Sequence, residues 1–150
     1  DLPPNQLAEH FSREKAHAVA VDYPNQLVIG ADTIVVFDGR ILGKPKDHED
    51  GFNMLSSLSG NTHQVITGVT IQLLDKNLDE TFHEVTNVTF NTLNDIDINY
   101  YIDTYKPFDK AGSYGIQDWF AVFVKHIDGC FYNVMGLPLA NLWEYINKLR

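Results

Sequence analysis

Asp32 and Thr33 sit inside the run Leu27–Phe37, where eight of eleven residues are aliphatic, alanine or phenylalanine. A run of this kind predicts a buried strand. A carboxylate there loses hydration worth several kcal/mol, roughly, unless a cation or hydrogen-bond donors replace the water. Asp32 therefore has either a structural partner or a working role. Just downstream, Asp38-Gly39 separates Ile34-Val-Val-Phe37 from Arg40-Ile-Leu42 and has the composition of a two-residue hairpin turn that tolerates φ > 0. The return arm ends in Gly43-Lys44-Pro45, which fixes the backbone and lets a ligand approach. A two-residue hairpin is expected to bring Lys44 back toward Asp32. A cation meeting a carboxylate there suits phosphate or metal chemistry, with Asp32 as the metal-ligating candidate.

A second chemical segment is the loop Lys106–Gly115, which carries Lys106, Lys110, a proline and two glycines and leads into Ile116-Gln117. Its lysines suit an anion, and Gln117 is able both to donate to and accept from a base edge. The ordinary surface connection is its dull alternative. Other candidates are weaker. The six histidines show no H-x-x-x-H spacing, and Asp47, Glu49 and Asp50 form the acidic cluster expected at a helix start. Cys130 lies beside Phe131 and reads as a small core residue. Ser56, Ser57 and Ser59 lack the surroundings of a nucleophile elbow. Neither a P-loop nor G-x-G-x-x-G occurs, so any nucleotide site uses another architecture.

The elements that must position these residues follow from periodicity. A helix is predicted over residues 6–21, with Leu7, Phe11, Ala18 and Val21 on its apolar face. Asp47 is the expected N-cap of a second helix with Phe52, Leu55 and Leu58 inward, ended by Gly60. Residues 64–74 alternate and predict a strand, and residues 81–90 its antiparallel partner. Asn94 starts a third helix with Ile98, Tyr101, Ile102 and Tyr105 on one face. Residues 119–127 are apolar and are assigned to helix, with Gly129 closing it. A short strand is predicted over 131–135. Pro138 then opens a closing helix with Leu139, Leu142, Ile146 and Leu149 inward. Helices and strands together predict an α/β or α+β domain whose sheet is not wholly parallel.

Composition narrows the function class. The 150 residues are 44% hydrophobic, enough for one domain with a proper core, and contain no run approaching the ~20 apolar residues of a membrane span. A net charge of −9 disfavours nucleic-acid or anionic-membrane partners. The single cysteine suits a reducing compartment, so a cytoplasmic protein is expected.

Ala31-Asp-Thr33, Leu42-Gly-Lys-Pro45, Leu58-Ser-Gly60 with His63, Thr67-Gly-Val69, Asp109-Lys-Ala-Gly112, Tyr114-Gly-Ile-Gln117 and Asn133-Val-Met-Gly-Leu-Pro138 occur in this order. Together they make a chain that resembles the Maf family of nucleoside triphosphate pyrophosphatases, from about Arg13 to the C-terminus. The resemblance implies an elongated, two-lobed α/β domain with a mixed central sheet flanked by helices. It implies hydrolysis of a nucleoside triphosphate to the monophosphate and pyrophosphate, with Mg²⁺ or Mn²⁺, as house-cleaning of nucleotide pools. By the same resemblance Asp32 is the general base, Thr33 and Gln117 select the base, and Lys15, Lys44 and Lys110 lie near the phosphates. The Asp-Lys-Ala-Gly and Tyr-Gly-Ile-Gln segments resemble the dTTP/UTP-directed branch. One domain over residues 1–150 is expected, without the family's opening strand and Ser-x-Ser-Pro-Arg-Arg loop; Asp1-Leu-Pro-Pro-Asn5 reads as loop instead. A homodimer is a further expectation. Two other readings stay open: a nucleotide-binding regulator related to cell division that does not turn its ligand over, and a pyrophosphatase directed at purine or 7-methyl-GTP nucleotides.

Overall fold

A computed structural model describes residues 1–150 as five strands and five helices joined by short turns. In chain order these are α1 (Pro4–Ala20), β1 (Val28–Phe37), β2 (Arg40–Leu42), α2 (His48–Leu58), β3 (Thr62–Leu73), β4 (Leu78–Phe90), α3 (Asp95–Tyr105), β5 (Val124–Asp128), α4 (Phe131–Met135) and α5 (Leu139–Asn147). The strands form one sheet in the order β2-β1-β3-β4-β5. Pairing of β1 with β2 and of β4 with β5 is antiparallel. Hydroxyl and amide contacts Thr62–Thr89, Thr70–Thr81 and Gln72–Asp79 step in opposite directions along β3 and β4, so this pair is an antiparallel hairpin as well. No helix is long and apolar enough to cross a membrane. The chain divides into two compact units: residues 1–33, 66–85 and 132–150 form one, residues 34–65 and 86–131 the other.

In the first unit α1 does not pack through the face that its large side chains predict. Phe11 is 39% and Val21 51% exposed, while Ala8, Ser12, Ala16 and Ala20 are buried at a spacing of four. The reason lies in the two strands beneath. A Cβ on Gly68 would stand 2.3 Å from the Ala8 carbonyl oxygen, and one on Gly30 would stand 2.7 Å from the Ser12 oxygen. Backbone meets backbone, and only small helix residues permit that approach. A hydrogen-bond chain pins the contact. Ser12 donates to the Glu9 carbonyl (2.8 Å), so Thr70 must donate to Ser12 (2.8 Å) and Thr81 to Thr70 (2.9 Å); Arg13 donates to Thr81 and grips Asp79 through both oxygens. That guanidinium holds the Asp79 carboxyl below its ordinary range.

The opposite face of the same strands carries the apolar core of this unit. Val69, Ile71, Phe82 and Leu142 are buried together, with Ala31, Leu137, Tyr145 and Ile146 against them. Tyr145 stacks on Phe82 at 4.2 Å between centroids. Residues 65–72 of β3 are all buried, because each face has its own cover. Of the four residues expected inward on the last helix, Leu142 is buried and Ile146 half-buried, whereas Leu139 and Leu149 are exposed. Residues 131–135 are the helix α4 rather than the predicted strand. Phe131, Tyr132 and Met135 are exposed there while Asn133 is buried, its amide donating to the Glu84 carbonyl. A five-residue apolar stretch contains too little periodicity to separate the two states.

In the second unit the hairpin forms as its composition predicts. Val35 pairs with Leu42 and Phe37 with Arg40, and Asp38 and Gly39 take φ of 51° and 75°, a two-residue turn with both central residues left-handed. Asp47 caps α2, accepting from the Asp50 N–H at 2.8 Å, and Asn94 caps α3 in the same way. Residues 119–127 are not a helix. Asp118 caps a short 3₁₀ turn over Trp119–Phe123, and Val124–Asp128 then leaves as β5 to cover the edge of β4. Strand pairing supplies partners to these residues that a lone apolar run does not reveal.

The core of this unit is aromatic: Phe90, Tyr114, Phe120 and the imidazole of His63 pack at 4.8–5.4 Å between centroids. His63 is buried and meets the Tyr114 hydroxyl through Nε2 at 2.7 Å, while Nδ1 has no partner. Burial pushes its pKa down from 6.5 to about 4. Between those values the unfolded chain binds a proton that the folded one refuses, so stability falls on acidification and levels off once the folded imidazole protonates. The expected loss is roughly 3 kcal/mol between pH 7 and pH 4 from this residue. Urea midpoints across that range test it against His63→Gln, which should lack this share of the slope; an identical slope in the variant contradicts the assignment.

Candidate active site

Within the first unit, Lys15 of α1 donates to Asp32 Oδ1 at 2.7 Å and to the Ala31 carbonyl at 3.3 Å. The Asp32 side chain is 18% exposed and that of Lys15 58%. The carboxylate is thus held by the fold, and the ammonium is free to be drawn toward solvent. Oδ2 of Asp32 has no protein partner. The cation paired with this part-buried carboxylate is Lys15 of the first helix, where the turn geometry predicted Lys44 of the hairpin arm. β2 ends at Leu42, and Lys44 stands exposed beyond the last paired residue.

Strand alternation separates Asp32 from its neighbour Thr33. Gly30 and Asp32 face α1; Ala31 and Thr33 face the opposite side, where Ala31 joins the apolar core. Thr33 Oγ1 lies 2.8 Å from Thr67 Oγ1, and Thr67 donates to the Asn133 carbonyl at 3.0 Å. Thr67 and Asn133 support Thr33 on that side, although their residue types alone pointed to no role there. The available signal was a threonine inside the apolar run Val65–Ile71, where a buried hydroxyl needs partners.

In the second unit, Lys44 and Lys110 lie on two loops joined by backbone. The Gly112 N–H donates to the Gly43 carbonyl at 3.1 Å. Gly112 takes φ of 72° and packs against Val35, where a Cβ would stand 3.1 Å from its methyl. The stem of Lys110 runs over Gly115, whose absent Cβ would meet it at 3.0 Å. Tyr101 holds the following turn, donating to Asp118 Oδ2 at 2.8 Å and accepting from the Gly115 N–H at 3.0 Å. Burial, with the Asp118 carboxylate beside it, raises the Tyr101 pKa and keeps this donor protonated. Gln117 is exposed in the same turn. The two lysines and Gln117 are therefore carried by one braced loop system, each presented to solvent.

No group of three or more histidine, cysteine or carboxylate side chains converges anywhere in the chain. The residues do not build a cage for a resident metal. They do fit an ion of the magnesium type, which uses one or two carboxylates together with substrate phosphate oxygens; Asp32 is the carboxylate available for it.

The Maf-like protein family matches residues 1–149. A dTTP/UTP pyrophosphatase of Syntrophomonas wolfei is 49% identical over 145 residues, covering 97% of this chain and 77% of that protein. Similar enzymes, also named dTTP/UTP pyrophosphatases, come from Bacillus velezensis (51% identical, 99% of this chain, 77% of that protein) and Carboxydothermus hydrogenoformans (47%, 98% and 79%). With residues 1–149 inside the match and these relatives about half identical along nearly the whole chain, the chain belongs to the Maf-like protein family.

Proposed function

We propose that this chain hydrolyses dTTP and UTP to the monophosphate and pyrophosphate. Its relatives carry that activity in their names. The observation that carries the reading is Asp32, a mostly shielded carboxylate fixed by Lys15 at 2.7 Å with its second oxygen unengaged. A triphosphate bears about four negative charges, which repel an attacking water until cations offset them. Lys15, Lys44 and Lys110 supply positive charge to the phosphates. Asp32 is the residue that would hold a divalent ion bound together with the nucleotide, and such an ion would add charge neutralisation. Asp32 orients the water and takes its proton as the oxygen bonds to the α-phosphorus. The bond from that phosphorus to the bridging oxygen breaks, and pyrophosphate leaves with the electron pair. Gln117 and Thr33 contact the nucleoside, Thr33 from the side of β1 opposite the Asp32 carboxylate. The same proposal puts the enzyme in the cytoplasm as a homodimer, for which exposed Leu139 and Trp143 offer apolar area.

Pyrophosphate release from a nucleotide panel with Mg²⁺ tests the substrate class. Turnover of dTTP and UTP should exceed that of GTP, ATP and CTP by at least about tenfold, the discrimination of one good polar contact. Equal rates across the panel contradict the pyrimidine assignment. Thermal stabilisation by UTP with no product points to the non-catalytic regulator instead.

A further inference from the structure

Thr67 is fully buried, with its hydroxyl 3.0 Å from the Asn133 carbonyl and 2.8 Å from Thr33 Oγ1. A carbonyl only accepts, and a threonine hydroxyl carries one proton. Thr67 gives its proton to Asn133. The proton between the two threonines must therefore come from Thr33. Reversing the direction would leave two lone pairs facing each other at the Asn133 carbonyl, with no proton between them. Thr33 has no second proton, so toward anything that approaches it the oxygen is an acceptor only. Thr33 is only part-buried, and Gly136 beside it, at φ of 122°, adds no side chain: a Cβ there would stand 3.6 Å from Thr33 Oγ1.

We propose that Thr67 is a positioning residue that presents Thr33 as a pure acceptor, so that this point of the site takes a hydrogen-bond donor of the substrate. The inference rests on the nucleotide reading above. UTP and dTTP offer such donors in two places, the imide N–H of the base and the sugar hydroxyl. CTP lacks the imide proton, and 3′-deoxy-UTP lacks the hydroxyl that the two preferred substrates share. Removing Thr67's oxygen lets the Thr33 hydroxyl rotate and donate, which relieves the penalty against a ligand lacking the donor.

Calorimetric binding of UTP, CTP and 3′-deoxy-UTP with Mg²⁺, to the wild type and to Thr67→Val, Thr67→Ser and Thr33→Val, tests this. The wild type should bind one of the two analogues about tenfold more weakly than UTP, and which one identifies the donor. That ratio should fall to within about twofold in Thr67→Val and Thr33→Val and persist in Thr67→Ser, which keeps the hydroxyl chain. A merely structural Thr67 would weaken all three ligands alike and leave the ratio unchanged, which overturns the inference. So does a wild type that discriminates against neither analogue. Should Thr67→Val not fold, Thr67→Ala, which also removes the hydroxyl while leaving Thr33 in place, decides the same question. Pyrophosphate release by the wild type is followed in parallel: binding without release overturns the proposed activity alone, an unchanged ratio overturns the inference alone, and no binding overturns both.

Discussion

Asp32→Asn is expected to lower turnover of dTTP by about a hundred- to ten-thousand-fold, the range for loss of a general base. The substitution keeps the side chain's shape and its carbonyl oxygen, so the contact that Lys15 makes at 2.7 Å survives as an ordinary hydrogen bond. What disappears is the negative charge and the ability to take a proton. The fold should tolerate this. Lys15 is more than half exposed and turns to solvent, so no unpaired charge is left buried, and the stability change stays within about 1 kcal/mol. Nucleotide binding should change far less than turnover, because the repulsion between carboxylate and triphosphate is lost together with the carboxylate that would hold the divalent ion. Steady-state rates with dTTP, paired with calorimetric binding, separate the two effects. Wild-type turnover in Asp32→Asn would remove the aspartate from the chemistry.

Gly68→Ala should be the most damaging single methyl in the first unit. The added Cβ would lie 2.3 Å from the Ala8 oxygen and 2.6 Å from the Glu9 nitrogen, both backbone atoms that no rotamer change can move. Helix α1 has to shift outward. It then loses contact at Ala8, Ser12 and Ala16 and strains the chain of hydroxyls from Thr81 to Ser12. The expected cost is about 3 kcal/mol, at the upper end for overpacking. Because Lys15 rides on this helix, its contact with Asp32 should loosen too, and activity should fall with stability. Gly43→Ala is the control for stability, since nothing lies within 4 Å of its added methyl. Urea denaturation of both variants gives the comparison, and equal midpoints would contradict the close backbone packing.

What could be read in advance was local chemistry. Asp38-Gly39 announced its turn because few residue pairs accept two positive φ values, and Asp47 and Asn94 announced helix starts because their side chains cap nearby N–H groups. Asp32 stood out because a carboxylate in an apolar strand needs an answer. What could not be read depended on partners distant in sequence. The buried face of α1 is set by Gly30 and Gly68, so the large residues Phe11 and Val21 misdirected a reading based on side-chain size. Residues 119–127 became a turn and strand because β4 offered an edge. Lys15 lies 17 residues before Asp32 on a different element, and Thr67 is 66 residues from Asn133. Neither separation leaves a trace in local periodicity.

The central claim is that water, activated at Asp32, attacks the α-phosphorus. Turnover of dTTP in heavy-oxygen water, with the products resolved by mass spectrometry, tests it most directly. The account predicts one heavy oxygen in the monophosphate and none in the pyrophosphate. Label in the pyrophosphate, or release of orthophosphate and the diphosphate, would contradict it.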